Sequence, residues 1–166
     1  MLTLRDYRPE DLPALHAINE SCYPGVGTET YEGLGAIVDE SVIALVAEVD
    51  DEIAGFCLVL EPAADYDSVN FTWFNARYDD HVYLDRVAIA ERFHRQGIGR
   101  AMYAEVERLL AERCSTAKWL ALEVNLEPRN DQSLGFHEAL GFREVGQQQT
   151  DYGAYVSLMT KPINSG

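Results

Sequence analysis

The segment from Val87 to Ala101 constrains this chain more than any other. An apolar run with strand character, Val87 to Ala90, gives way to a polar connection over Glu91–Gln96. Gly97 and Gly99 follow, and the chain passes directly into helical spacing. Glycines allow the backbone to approach a ligand closely, and the first turn of a helix presents unpaired N–H groups at the positive end of its dipole. The product is a seat for an anion, phosphate above all, and Arg92, Arg95 and Arg100 add positive charge beside it. The same pattern also serves as a tight strand-to-helix turn with no ligand. No Lys-Ser/Thr pair follows the glycines and no third Gly completes a dinucleotide fingerprint, which argues against ATP and NAD.

Around that segment the chain reads as alternating elements. Leu2–Arg8 alternates as a half-buried strand, and Pro9, Glu10 and Asp11 open a helix carrying Leu12, Leu15 and Ile18. Tyr23–Gly27 breaks it, and Thr28 is placed to cap a second helix reaching about Val38. Val42–Val49 and Ile53–Leu60 form a hairpin about Asp50 and Asp51. Glu61–Asp80 reads as a long irregular stretch with an aromatic centre, room enough for a short helix or strand. His81–Ala90 is a strand and Gly97–Arg113 an amphipathic helix. Trp119–Val124 is a strand and Asn130–Leu140 a helix. Phe142–Gln149 and Ala154–Lys161 close the chain as a strand pair. The order β-α-α-β-β-β-α-β-α-β-β implies an α/β fold with a mixed sheet of about seven strands and helices on both faces. At 166 residues, 1–166 is expected to be a single domain.

Charge is unevenly spread. The formal net charge is −15. Residues 1–85 carry 18 acids against Arg5, Arg8 and Arg77, whereas residues 86–166 balance 10 acids with 10 bases. An acidic surface repels nucleic-acid phosphate and anionic lipid and attracts cations, so neither nucleic acid nor membrane is an expected partner. No apolar run approaches the roughly 18 residues of a membrane span, and the first residues lack a leader pattern. Cys22, Cys57 and Cys114 have neither disulfide-framework nor metal-knuckle spacing. A cytoplasmic protein without a metal is the expectation.

A second segment joins the first. Asn130 to Phe142 contains Ser133, Phe136, His137 and Leu140 and ends in Gly141-Phe142. Together, His94-Arg95-Gln96-Gly97-Ile98-Gly99 and this stretch resemble the two signatures of the GNAT acetyltransferase superfamily, strongly from Tyr83 to Phe142 and by element order over nearly the whole chain. The resemblance implies a GNAT-like fold that binds acetyl-CoA. It implies that the pyrophosphate lies on backbone amides around His94, Arg95, Gln96, Gly97, Ile98, Gly99, Arg100 and Ala101. It further implies that the pantetheine arm lies along Val87, Ala88 and Ile89, in a V-shaped opening beside Trp119–Val124. Asn130 then bonds the cofactor arm or simply caps its helix, and Ser133 and Phe136 border the same arm.

The sequence departs from the family pattern twice. His94 stands where Gln or Arg is usual, and His137 stands where the family often has the Tyr that protonates the leaving thiolate. An imidazole can donate a proton near neutral pH, so His137 is a candidate general acid; the alternative is plain packing beside the cofactor arm. Asp85 and Glu123 are candidate bases for the acceptor's ammonium proton, or ion-pair partners of Arg86. Tyr23, Tyr31, Trp73 and Phe74 fall in segments that border the acceptor in this fold, or else they are core. His16 and Cys114 read as structural.

The function implied is direct transfer of an acetyl group from acetyl-CoA to a primary amine of a small molecule or peptide, with a cationic acceptor favoured by the acidic half. Alternatives are an acyl-CoA-binding module without turnover, or a transferase for a longer acyl chain. A homodimer is open to it.

Overall fold

The computed structural model describes residues 1–164. One seven-stranded sheet runs through it in the order β1-β2-β3-β4-β5-β7-β6. The strands are β1 (Leu2–Asp6), β2 (Ile43–Val49), β3 (Glu52–Leu60), β4 (His81–Ile89), β5 (Trp119–Glu127), β6 (Arg143–Gln149) and β7 (Tyr155–Pro162). Every neighbouring pair is antiparallel except β4 and β5. A parallel pair needs a crossover, which is supplied by α4 (Ile98–Arg113). The other helices are α1 (Leu12–Ser21), α2 (Tyr31–Glu40), α3 (Val69–Asn75) and α5 (Asp131–Leu140).

Strand alternation splits the core into two layers. On β2, Ile43, Leu45 and Ala47 face the layer under α4 and α5, while Val46 faces the layer under α1, α2 and α3. The helical stripe Ile98, Met102, Tyr103, Val106, Leu109 and Leu110 buries α4, at about 1.5–3 kcal/mol for each large side chain. α2 begins two residues later than its expected cap: Thr30, not Thr28, accepts from the Gly33 amide at 2.9 Å, and the Thr28 hydroxyl instead donates to Glu20. The stretch Glu61–Asp80 is not wholly irregular. Ser68 caps α3 there, and the short helix drives Phe71 and Phe74 into the core.

One irregularity of the sheet makes the site. β3 pairs Leu58 with Arg86 and Val59 with Leu84, so Asp85 is the extra residue of a bulge. A bulge bends its strand and sharpens the twist. On its other edge β4 pairs with β5 only from His81 to Tyr83, against Trp119 to Ala121. Beyond Tyr83 the two strands diverge, and a wedge opens in the middle of the sheet.

Candidate active site

Two cavities occupy that wedge, and they share Gly25, Val26, Val87, Tyr103, Ser133 and His137. The strap of residues 22–29 crosses between them. Its carbonyls are held from below: Asn125 Nδ2 donates to Pro24 O at 2.9 Å, Arg86 Nη1 to Gly27 O at 3.1 Å, and Asn19 Nδ2 to Gly27 O at 3.1 Å.

The first cavity, about 480 Å³, is a backbone cradle. β4 ends at Ile89, whose carbonyl accepts from His94 Nε2 at 2.8 Å, and this bond fixes the turn. Arg95 (φ 65°) and Gly97 (φ 78°) then take left-handed conformations. Gly97 suits that backbone at little cost and becomes the N-cap of α4 with no side-chain cap. The leading amides of α4 therefore keep their N–H groups free, as the first turn of any uncapped helix does. A Cβ on Gly99 would touch the Phe136 ring at 3.4 Å and Ile89 at 3.5 Å, so any branched side chain would fill the cradle. Val87, Ala88, Ile89, His94, Arg95, Gly97, Ile98, Gly99, Arg100, Asn130, Ser133 and Phe136 line it. Gln96 and Ala101 do not: Gln96 is exposed outside the cavity, and the Ala101 amide is spent on Gly97 O at 3.1 Å. Asn130 does cap α5, its side chain accepting from Ser133 N at 3.2 Å, and it also borders the cradle. Free helix amides with Arg95 and Arg100 beside them suit a pyrophosphate, so these residues fit the CoA that the sequence implied.

The second cavity, about 360 Å³, is made of side chains. Glu29, Asp67, Asp85, Glu123 and Asp151 line it, with Tyr23, Tyr66, Tyr83, Tyr103 and Tyr152. The two candidate bases have different surroundings. Asp85 accepts from Arg86 Nε at 2.6 Å and from the Tyr66 hydroxyl at 2.6 Å, so both of its oxygens are engaged. Arg86 is buried and also donates to Asn19 Oδ1 at 2.9 Å, tying strap, α1 and β4 together. Glu123 makes no ion pair among the described residues; its Oε1 accepts from the Tyr83 hydroxyl at 2.5 Å, and the carboxylate also takes its own backbone amide. It is partly buried and lines the cavity. Burial pushes its carboxyl up to about 8, with Asp85 adding to the shift and the Tyr83 bond and Arg86 opposing it.

His137 stands where the cavities meet. Its Nδ1 lies 2.7 Å from Ser133 O, which can only accept, so Nδ1 carries the proton. Nε2 therefore accepts from the Tyr103 hydroxyl at 2.5 Å. Burial lowers the pKa of the ring, and both nitrogens are occupied. No N–H remains to give to a leaving group. The hydroxyl that faces both cavities is that of Tyr103, buried on α4, whose pKa desolvation raises well above the ordinary phenol value. Sequence reasoning passed over Tyr103, since at its position on α4 it looks like one more core residue.

Of the aromatic residues expected around the acceptor, only Tyr23 lines the acidic cavity. Phe74 is fully buried in the core under α3. Trp73 packs its indole on β6, where a Cβ on Gly146 would come within 2.6 Å of the ring. Tyr31 is exposed and stacks edge-on against His16. Tyr66 and Tyr152, which the sequence did not single out, take their place.

The chain matches the acetyltransferase (GNAT) family over residues 12–142. It belongs to that family. Among solved structures, this GNAT protein is similar to the ribosomal-protein-S18-alanine N-acetyltransferase of Escherichia coli, with a TM-score of 0.77 and 21% identity over 100% of this chain and 96% of that one. It is similar to Ard1 from Thermoplasma volcanium, with a TM-score of 0.79 and 18% identity over 98% and 97%. It is also similar to Arabidopsis thaliana NAA60 in complex with acetyl-CoA, with a TM-score of 0.74 and 18% identity over 98% and 100%. At these identities the likeness is one of fold. No curated protein is close enough in sequence to match it. Among the described residues no helix is long and apolar enough to cross a membrane, and no three His, Cys, Asp or Glu side chains are grouped to hold a metal.

Proposed function

We propose that this GNAT protein is an N-acetyltransferase that moves the acetyl group of acetyl-CoA directly to a primary amine carrying positive charge. One observation supports this above the others: a cradle of free helix amides and a carboxylate-lined cavity open onto each other through the β4–β5 gap, at Val87, Tyr103, Ser133 and His137. Residues from Arg95 to Arg100 hold the pyrophosphate, and Asn130, Ser133 and Phe136 border the arm. The edge of β4 from Val87 to Ile89, which β5 has left, offers backbone N–H to the thioester carbonyl. In the other cavity Glu123 takes the proton of the incoming ammonium. Asp85, bound by Arg86 and Tyr66, holds the wall instead. The Tyr103 hydroxyl has one hydrogen, which rests on His137 Nε2 and turns from there to the departing thiolate; its raised pKa makes it a donor rather than an acid that gives up its proton. His137 is the positioning residue that holds the Tyr103 oxygen at the junction until the thiolate forms.

The NAA60 complex contains acetyl-CoA, which favours that donor here. The test is release of free thiol from acetyl-CoA across a panel of primary amines, with calorimetric binding of acetyl-CoA alongside. Turnover with cationic amines is expected. Tight binding without release in any amine would replace the proposal by an acyl-CoA-binding module.

A further inference from the structure

The acidic cavity is closed along one side in a way that limits what fits it. α3 is fastened to the β6–β7 hairpin by three hydrogen bonds and one packing contact. Asn70 Nδ2 donates to the Tyr152 hydroxyl at 3.0 Å. Gln148 Nε2 donates to Asn70 Oδ1 at 3.1 Å and to Val69 O at 3.3 Å. The Trp73 indole packs over Gly146. Asn70 is fully buried in this fastening, so the contact is built into the core rather than laid on the surface. On the opposite side the strap of residues 22–29 is tied down through Arg86, Asn19 and Asn125. The fastening and the strap bound the cavity on two sides, so a polypeptide following its reacting α-amine out would have to pass the mouth beside Asp67 and Asp151. At about 360 Å³ the space is at the small end of ligand cavities, which run roughly 300–1,000 Å³.

Charge narrows the class further. Arg86 is the sole Lys or Arg in the lining among the described residues, and it is spent on Asp85, with Glu29 3.9 Å away. No cation of the lining is left to receive an acceptor's own carboxylate. Glu123, at the inner end, has an Oε2 that accepts no hydrogen bond from another described residue. Asp67 and Asp151 are exposed and stand at the mouth, one on each side of the α3–hairpin fastening. Carboxylates at both ends with tyrosine walls between them fit a short aliphatic stem charged at both ends.

We infer that the acceptor is a small aliphatic diamine, one amine reacting beside Glu123 while the second ammonium is held between Asp67 and Asp151. This rests on the acetyltransferase reading above and names its substrate class. The transfer breaks the thioester C–S bond and forms an amide C–N bond. One ammonium proton goes to Glu123; the electron pair of the broken bond stays on the CoA sulfur, which takes the second nitrogen proton as the tetrahedral adduct collapses and leaves as the thiol.

The experiment compares 1,4-diaminobutane, butylamine, 4-aminobutyrate and an amidated tripeptide with a free N-terminus as acceptors for acetyl-CoA. The expected kcat/KM for the diamine exceeds that for butylamine by roughly 3–5-fold, beyond the statistical advantage of two equivalent amines, as for an ion pair with exposed carboxylates. The amino acid and the tripeptide fall below butylamine. In the Asp67→Asn/Asp151→Asn double variant the ratio of diamine to monoamine falls toward its statistical value. Equal use of diamine and monoamine, preference for the tripeptide, or an unchanged ratio in the folded double variant would each overturn the inference while leaving an acetyltransferase. Absence of thiol release with every amine, with acetyl-CoA bound, overturns the acetyltransferase reading and the inference with it.

Discussion

The two cavities that meet between β4 and β5 are built from different materials. The cradle is backbone: a carbonyl fixed by His94, a left-handed N-cap at Gly97, and the free amides of one helix end. The acidic cavity is side chains, drawn from the strap, the α3 region, β4, β5 and the β6–β7 hairpin. A backbone cradle recognises a charge and a shape that barely vary, and within it almost any side chain serves so long as the glycines remain. A side-chain cavity can be retuned one residue at a time. A common cofactor end and a variable acceptor end are what that contrast produces, and altering a single residue in each cavity tests it.

The largest effect is expected from Glu123→Gln. If this carboxylate takes the ammonium proton, its loss should lower kcat by roughly 10²–10⁴-fold with little change in acetyl-CoA affinity. The same group sets a pH dependence. A base must be ionised to act, and the free enzyme's carboxyl titrates at about 8, so kcat/KM should climb as pH rises from 6 and level off above that value. The sign is opposite to that of a catalytic acid, whose activity would fall over the same range. A flat profile from pH 6 to 9, or a Glu123→Gln enzyme with near-normal kcat, would remove Glu123 from the chemistry.

Gly99→Val probes the other material. Its added methyls would enter a space already bounded by Phe136 and Ile89 and cover the helix amides. Losing one or two charge-assisted hydrogen bonds to phosphate, each worth about 1.5–3 kcal/mol, should weaken acetyl-CoA binding by roughly 10²–10³-fold. The turn itself is retained, because the left-handed position is Gly97 and not Gly99. Unchanged affinity in a folded variant would move the pyrophosphate elsewhere.

The same contrast explains what the sequence disclosed. Gly97, Gly99 and the helix behind them stand together in the chain, so the cradle was readable as a local pattern; the expected members outside its lining are an exposed side chain, Gln96, and an amide already inside the helix, Ala101. The succession of strands along the chain followed from hydrophobic alternation, and the seven strands came out as expected. The acidic cavity depends on residues far apart in the chain that only the fold brings together, and single positions there carry no signal of direction. Trp73 and Phe74 have the composition of a binding wall, but α3 turns one onto Gly146 and the other into the core. Asp85 and Glu123 looked equivalent as strand carboxylates. The bulge at Asp85 and the reach of Arg86 separate them, and neither is visible in a linear pattern.

The smallest effect, and the one that ties the cavities together, concerns the pair at their junction. A general acid at His137 would need an N–H directed at the sulfur, yet Nδ1–H points to Ser133 O and Nε2 receives the Tyr103 hydroxyl. Removing the hydroxyl in Tyr103→Phe deletes a donor to the developing negative charge and should cost roughly 10²-fold in kcat. His137→Asn keeps an acceptor near that hydroxyl and should cost about 10-fold or less, since Tyr103 remains and only its orientation loosens. The two changes made together should cost little more than Tyr103→Phe alone, because without the hydroxyl His137 has nothing to position. The measurement is kcat for the single and double variants at saturating acetyl-CoA. A His137→Asn loss larger than that of Tyr103→Phe, or full additivity of the two, would return the proton-donor role to His137 and make the wall between the cavities chemical rather than structural.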